Sequence, residues 1–180
     1  MENGWGMVKD LLVDEAGIQA AFDEVFDQAI VFHGFADYLR DYDVFVYATA
    51  DPRTEIAPVH LRYRFKYCVH AAAASALSPQ VWGESLDDRL VDYDQGRDLE
   101  GYVWGVKWQN LYPGMRLLSE SAGAERWSRS MGIPFYEAAI ETNGHNLSLV
   151  FADLVVDVVA VGYAPFVVPD DGPDFKISLP

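Results

Sequence analysis

Residues 59–70 read VHLRYRFKYCVH. Successive side chains of an extended chain leave on opposite faces. Val59, Leu61, Tyr63, Phe65, Tyr67 and Val69 therefore share one side, and His60, Arg62, Arg64, Lys66, Cys68 and His70 share the other. The unbroken period of two predicts one strand across the whole stretch, central in a sheet, with its aliphatic and aromatic side on the core.

The flanking segments extend this strand into a sheet. Ile30–Phe35 and Asp43–Thr49 are β-rich, and the polar residues between them suit a hairpin loop. Asp51-Pro52-Arg53-Thr54-Glu55 then reads as a turn, because proline cannot continue a paired strand. Three strands on short links predict an antiparallel meander.

Upstream, Met1–Val13 reads as a loose arm. Asp14 caps a helix predicted to run to near Gln28, with Ile18, Phe22, Val25, Phe26 and Ala29 at helical spacing. Downstream, Ala71–Leu77 is alanine-rich and predicts a helix start. Ser78-Pro79 has the form of a cap with proline at the first helical position, followed by an apolar stripe of Val81, Trp82 and Leu86. Ser85–Gly96 reads as an exposed insertion.

Tyr102–Trp108 alternates and predicts a strand, with Gly105 marking a bulge or a close backbone approach. Tyr112-Pro113-Gly114 is a turn signal. Ser119 or Ser121 opens a helix carrying Ala124, Trp127 and Met131, which Gly132 and Pro134 end. Phe135–Glu141, Asn146–Phe151 and Leu154–Val161 follow as strands. Thr142-Asn143-Gly144-His145 supplies a tight hairpin turn after the first of them, and the tail 166–180 packs loosely. The expected fold is α+β: residues 1–180 as a single domain, a mostly antiparallel sheet of about six strands, and two or three helices packed on one face.

Composition narrows the function classes. Of 180 residues, 51% are hydrophobic and 14% aromatic, which fits a globular chain with a sizeable core. A membrane-spanning run and a signal peptide are both missing from the pattern, and the single Cys68 excludes an internal disulfide, so a cytoplasmic location is expected. Net charge is −15, from 13 basic and 28 acidic residues. Such a field repels phosphate backbones and attracts basic partners, so nucleic acid is not an expected ligand. Its simplest role is to keep the protein soluble. From Ser130 to Phe175 there is no Lys or Arg, whereas Arg62, Arg64 and Lys66 gather on one strand face.

The segments FHGFADYLRDYDVFVY (32–47), HLRYRFKYCV (60–69), GYVWGVKWQNLYPG (101–114) and ETNGHNLSLVF (141–151) resemble the YxiG-like family of small bacterial proteins. The resemblance extends from about Phe26 to Val168 and rests on several separate motifs. It implies a compact bacterial cytosolic domain and carries over no functional residue.

Candidate chemistry begins with the basic face. Arginine forks suit carboxylate or phosphate, and adjacent cations repel unless an anion or acidic side chains lie between them. Arg62, Arg64 and Lys66, with His60, His70 and Cys68, are thus a candidate small-anion site. Alternatively, Asp41, Asp43, Glu137 or Glu141 on neighbouring strands pair with these cations. Cys68 is either a thiol activated by Lys66 and His70 or a buried small hydrophobe. His145 with Glu141 or Asp153 is a candidate acid–base pair, alternatively a surface turn histidine.

The aromatic set Trp104, Trp108, Tyr112 and Trp127 either lines a pocket or belongs to the core. Asp37, Tyr38, Arg40, Asp41 and Tyr42 in the first hairpin form a candidate partner surface, alternatively a loop closed by its own ion pairs. The histidines lack metal-ligand spacing, and the chain has no phosphate loop, dinucleotide fingerprint or nucleophile elbow, so neither metal nor cofactor is expected. The leading expectation is a non-enzymatic binding domain of immunity or inhibitor type with a basic protein partner. Its rival is an anion binder or enzyme using Arg62, Arg64 and Lys66 with His145 or Cys68. An oligomer-forming structural module is a third reading.

Overall fold

The computed structural model describes residues 14–50, 53, 55–79, 98–99, 102–103 and 109–163. In chain order these form α1 (Glu15–Asp23), β1 (Ala29–Ala36), α2 (Asp37–Arg40), β2 (Asp41–Ala48), β3 (Val59–Lys66) and β4 (His70–Ser75). They continue with β5 (Asp98–Leu99), β6 (Tyr102–Val103), β7 (Gln109–Asn110), β8 (Gly114–Leu117), α3 (Ala122–Met131), β9 (Tyr136–Glu141), β10 (His145–Phe151) and β11 (Asp153–Val159).

The meander β1–β2–β3 forms as its pattern predicts, in the middle of a five-stranded sheet ordered β11-β3-β2-β1-β7. A second sheet is ordered β4-β10-β9-β8, and β5 and β6 pair separately. The fold is therefore sheet-rich α+β with antiparallel pairing, but the expected single sheet of about six strands is two sheets. The reason lies within the opening stretch. The expected strand over residues 59–70 breaks at Tyr67, whose φ is +51°. Lys66 pairs with Asp153, yet His70 pairs with Val150, so four steps on one chain oppose three on the other. That extra residue is a bulge, and bulges bend strands. The ribbon of 59–75 and 145–159 thereby leaves one sheet at Lys66 and enters the other at His70. Ala152 N donating to Lys66 O (3.0 Å) and Val69 N to Val150 O (2.8 Å) stitch the corner. Strands that switch sheets at bulges are how two sheets share one core.

The core fills the space between the sheets. Leu61, Tyr63 and Phe65 of β3 meet Leu147, Leu149 and Phe151 of β10, with the Phe65 and Phe151 rings edge-on at 4.8 Å. Ile18, Phe22 and Val25 bring the α1 segment into the same core, and Tyr63 Oη donates to Ala21 O at 2.7 Å. Burying each such large apolar side chain contributes roughly 2 kcal/mol.

Contrary to the expectation of helices packed on one face, the two longer helices are separated: α1 joins this inner core while α3 covers the other side of the second sheet. There Ala124 packs with Phe135 and Val150, and with half-buried Trp127. The first helix also stops at Asp23, short of Gln28, and Phe26 is exposed instead of continuing an apolar stripe. Ala71–Leu77 does not start a helix. Pairing with β10 holds 70–75 as a strand, because tertiary pairing overrides alanine's helical preference. The arm 1–13, the stripe Val81, Trp82 and Leu86, the insertion 85–96, residues 104–108 of the expected strand and the tail 166–180 lie outside the described residues.

Candidate functional site

The basic face of β3 lies between β2 and β11, and register decides what each cation meets. Arg64 stands opposite Asp43 of β2, and Arg62 opposite Asp157 of β11. Arg64 donates from Nε to Oδ1 and from Nη2 to Oδ2 of Asp43, both at 2.9 Å, and the Asp43 side chain is 1% exposed. Arg62 Nη2 donates to Asp157 Oδ2 at 2.6 Å and Nη1 to Tyr163 Oη at 3.0 Å. Lys66 Nζ sits 5.8 Å from the Tyr67 ring, and His60 lies against the Tyr47 ring. Of the carboxylates the sequence offered as partners, Asp43 pairs; Asp157, which the sequence reading left out, supplies the other.

Cys68 does not share this face. The extra residue at the corner reverses the alternation, turning Tyr67 outward and Cys68 into the core. Burial pushes the Cys68 thiol up to about 11, away from the activated thiolate that neighbouring cations suggested. His70 is exposed at the start of β4, in the other sheet. The six residues of the candidate anion site are thus divided between two sheets and the core.

The first hairpin turns largely upon its own fold. Asp41 Oδ1 accepts from Tyr67 N at 3.1 Å, the Arg40 guanidinium lies 5.7 Å from the Tyr67 ring, and Cys68 N donates to Arg40 O at 2.7 Å. Tyr42 is buried. Arg40, Asp41 and Tyr42 therefore brace the corner, while the side chains of Asp37 and Tyr38 lie outside the described part.

A polar cluster that the sequence did not assemble lies on the inner side. His33 Nδ1 and Tyr42 Oη are 2.7 Å apart, and Gln109 Nε2 and His145 Nδ1 are 2.6 Å apart. Thr142 Oγ1 accepts from Gly144 N and His145 N and lies 2.9 Å from Gln109 Oε1. A Cβ on Gly144 would stand 2.6 Å from Gln109 Cδ, so glycine lets this turn close on Gln109. Burial, then nearby His145, holds the His33 imidazole below its ordinary 6.5, and burial raises the Tyr42 hydroxyl. Both side chains are therefore uncharged around neutrality.

The proposed acid–base partners of His145 are elsewhere. Glu141 leaves the opposite face of its strand and lies 3.4 Å from Arg116, and Asp153 accepts from Leu154 N. The His33 cluster forms through a bulge in β1. Ile30 pairs with Val46 but Phe32 pairs with Phe45, and the extra residue turns Phe32 outward and His33 inward.

Two surface concavities stand out. One, of about 410 Å³, lies beside α3 and β9 and carries Glu15, Glu125, Glu137, Tyr136 and Arg129. Glu137 is held there by the hydroxyls of Ser121 and Ser148. Partial burial, then Glu15, Asp14 and Asp153, raises the Tyr136 hydroxyl, a mark of the negative field around it. The other, of about 250 Å³, is mainly apolar and lies on the outer face of the five-stranded sheet. Among the described residues no three His, Cys, Asp or Glu side chains group to hold a metal ion, and no helix is long and apolar enough to cross a membrane.

Two antiparallel sheets sharing one bent ribbon, a helix in their common core and an ion-paired outer face define a sheet-rich α+β fold. The chain belongs to the YxiG-like protein family, whose model matches residues 14–169. Among curated proteins, no match is found.

Proposed function

We propose that this domain is a non-enzymatic binding module of inhibitor or immunity type whose partner is a basic protein. The observation that carries this reading is the pairing of Arg62 and Arg64 with Asp157 and Asp43. A free anion site on β3 would need these guanidinium groups gathered around a cleft with His145 or Cys68. Here Cys68 faces the core and His145 bonds Gln109 on the inner side of the other sheet. With Arg62 and Arg64 neutralised within their own sheet, exposed acids dominate elsewhere among the described residues: Asp14, Glu15, Asp23, Glu24 and Asp27 along α1 and its flanks, and Glu125 beside the polar cleft. A negative field of this kind speeds encounter with a cationic surface.

The test compares a pull-down from the native host, using the full chain as bait, with a thermal-shift screen against anionic metabolites. The binding reading expects a basic protein in the eluate that is released as salt rises. Stabilisation by an anion, lost in R64M and accompanied by no captured protein, would overturn it.

A further inference from the structure

We infer that the outer face of the five-stranded sheet carries the anchor pocket for this partner, seating one aromatic or aliphatic side chain from a cationic segment. The inference rests on the basic-partner reading and gives it a location. Phe45 of β2, 5% exposed, forms the floor, flanked by Phe32 at 6.1 Å and Tyr163 at 5.7 Å between ring centroids. His60, Val159 and Val161 complete the wall. Phe32 is 44% exposed and Val161 is 90% exposed. Phe32 reaches this face only because β1 carries its bulge, and bulges commonly re-aim side chains at functional sites. Contiguous exposed apolar surface around a concavity is a mark of interaction sites, and aromatic pockets ringed by polar groups are where binding energy concentrates.

The occupant follows from size and charge. About 250 Å³ is below the usual range for a small-molecule site, roughly 300–1,000 Å³, and suits a single side chain. A second copy also carries −15 and is repelled. Beside the pocket, where Arg62 bonds the wall residue Tyr163, Asp157 is 40% exposed and Arg62 only 18%. Lys66 lies at the far end of β3, roughly 20 Å from His60 at about 3.3 Å per residue. Carboxylate is thus the more accessible charge at the pocket, which favours a cation beside the apolar anchor.

The test titrates the full-length protein, followed by NMR, with a short lysine-rich peptide carrying one central tryptophan. Parallel titrations use an alanine-centred version and a glutamate-rich version. The tryptophan peptide is expected to shift the resonances of Phe32, His60 and Val161, and to bind about tenfold or more tightly than either control. V161N changes an exposed side chain without altering charge, leaves the fold intact and is expected to weaken binding about tenfold or more. Unchanged binding to V161N overturns the pocket and leaves the basic-partner reading standing. Failure of both lysine-rich peptides to bind anywhere removes both readings. A dimer that V161N dissociates in sedimentation would assign the face to a second copy. Shifts at Phe32 and His60 in peptide-free F166S would assign it to the chain's own C-terminal segment; either result overturns the proposal.

Discussion

At the scale of single residues, the polar groups on and between the sheets carry the sharpest consequences. Arg64 is 18% exposed and Asp43 1%, so removing one partner leaves the other charged and poorly solvated. D43N is expected to cost about 3 kcal/mol in urea denaturation, whereas D43L/R64M, which removes both charges, is expected to lose much less. Equal losses would mean that packing, not charge, sets the value of the pair.

His33 couples stability to pH. Its imidazole is held below 6.5 in the folded state, so the unfolded chain takes up the proton first as pH falls. The contribution is complete above about pH 6.5 and declines below it. Urea denaturation at pH 7.5 and pH 5 should therefore show a larger loss for the natural chain than for H33Q; equal losses would show that His33 is not responsible. Cys68, pushed up to about 11, is expected to react with a disulfide reagent far more slowly at pH 8 than in urea.

Among the elements, α3 was the most legible because both its ends are written in local chemistry. Ser121 Oγ accepts from Ala124 N, and Gly132 follows the last turn at φ +70°. S121A should cost about 1–2 kcal/mol and S121T much less. G132A should cost about 1 kcal/mol from backbone strain alone, since nothing lies within 4 Å of the added Cβ. Thermal unfolding of the three variants checks this, and an unchanged midpoint in G132A would show that the turn relaxes.

The meander and the hairpin at 142–145 were legible for the same reason: alternation and turn residues are local signals. The division into two sheets was not. It depends on one extra residue near Tyr67, and alternation in sequence reads the same whether a strand stays in one sheet or passes into a second. Asp157 was overlooked as an arginine partner because β10 and β11 look consecutive, although they lie end to end in different sheets and β11 pairs with β3. Ala71–Ser75 was misread because propensity is weaker than a ladder with β10. The His33 cluster required the β1 bulge, which no residue near Val31 announces.

For the whole molecule, the net charge of −15 should have two measurable effects of opposite sign. Like charges crowded on a folded surface destabilise it relative to the expanded chain, while the same field draws in cations. Raising ionic strength from about 0.01 M to about 0.1 M shortens the screening length from about 30 Å to about 10 Å. Self-repulsion weakens, so the melting temperature should rise, by about 2–4 °C for each kcal/mol relieved in a chain of this size. Over the same interval a lysine-rich peptide should bind more weakly, chiefly through slower association. The Arg62–Asp157 and Arg64–Asp43 pairs pull the other way, because salt screens attraction as well; they are short and partly buried, and so are screened less than the dispersed surface acids. A melting temperature that falls with salt would mean that these pairs outweigh the surplus. Peptide affinity indifferent to salt would mean that the surplus charge plays no part in recognition.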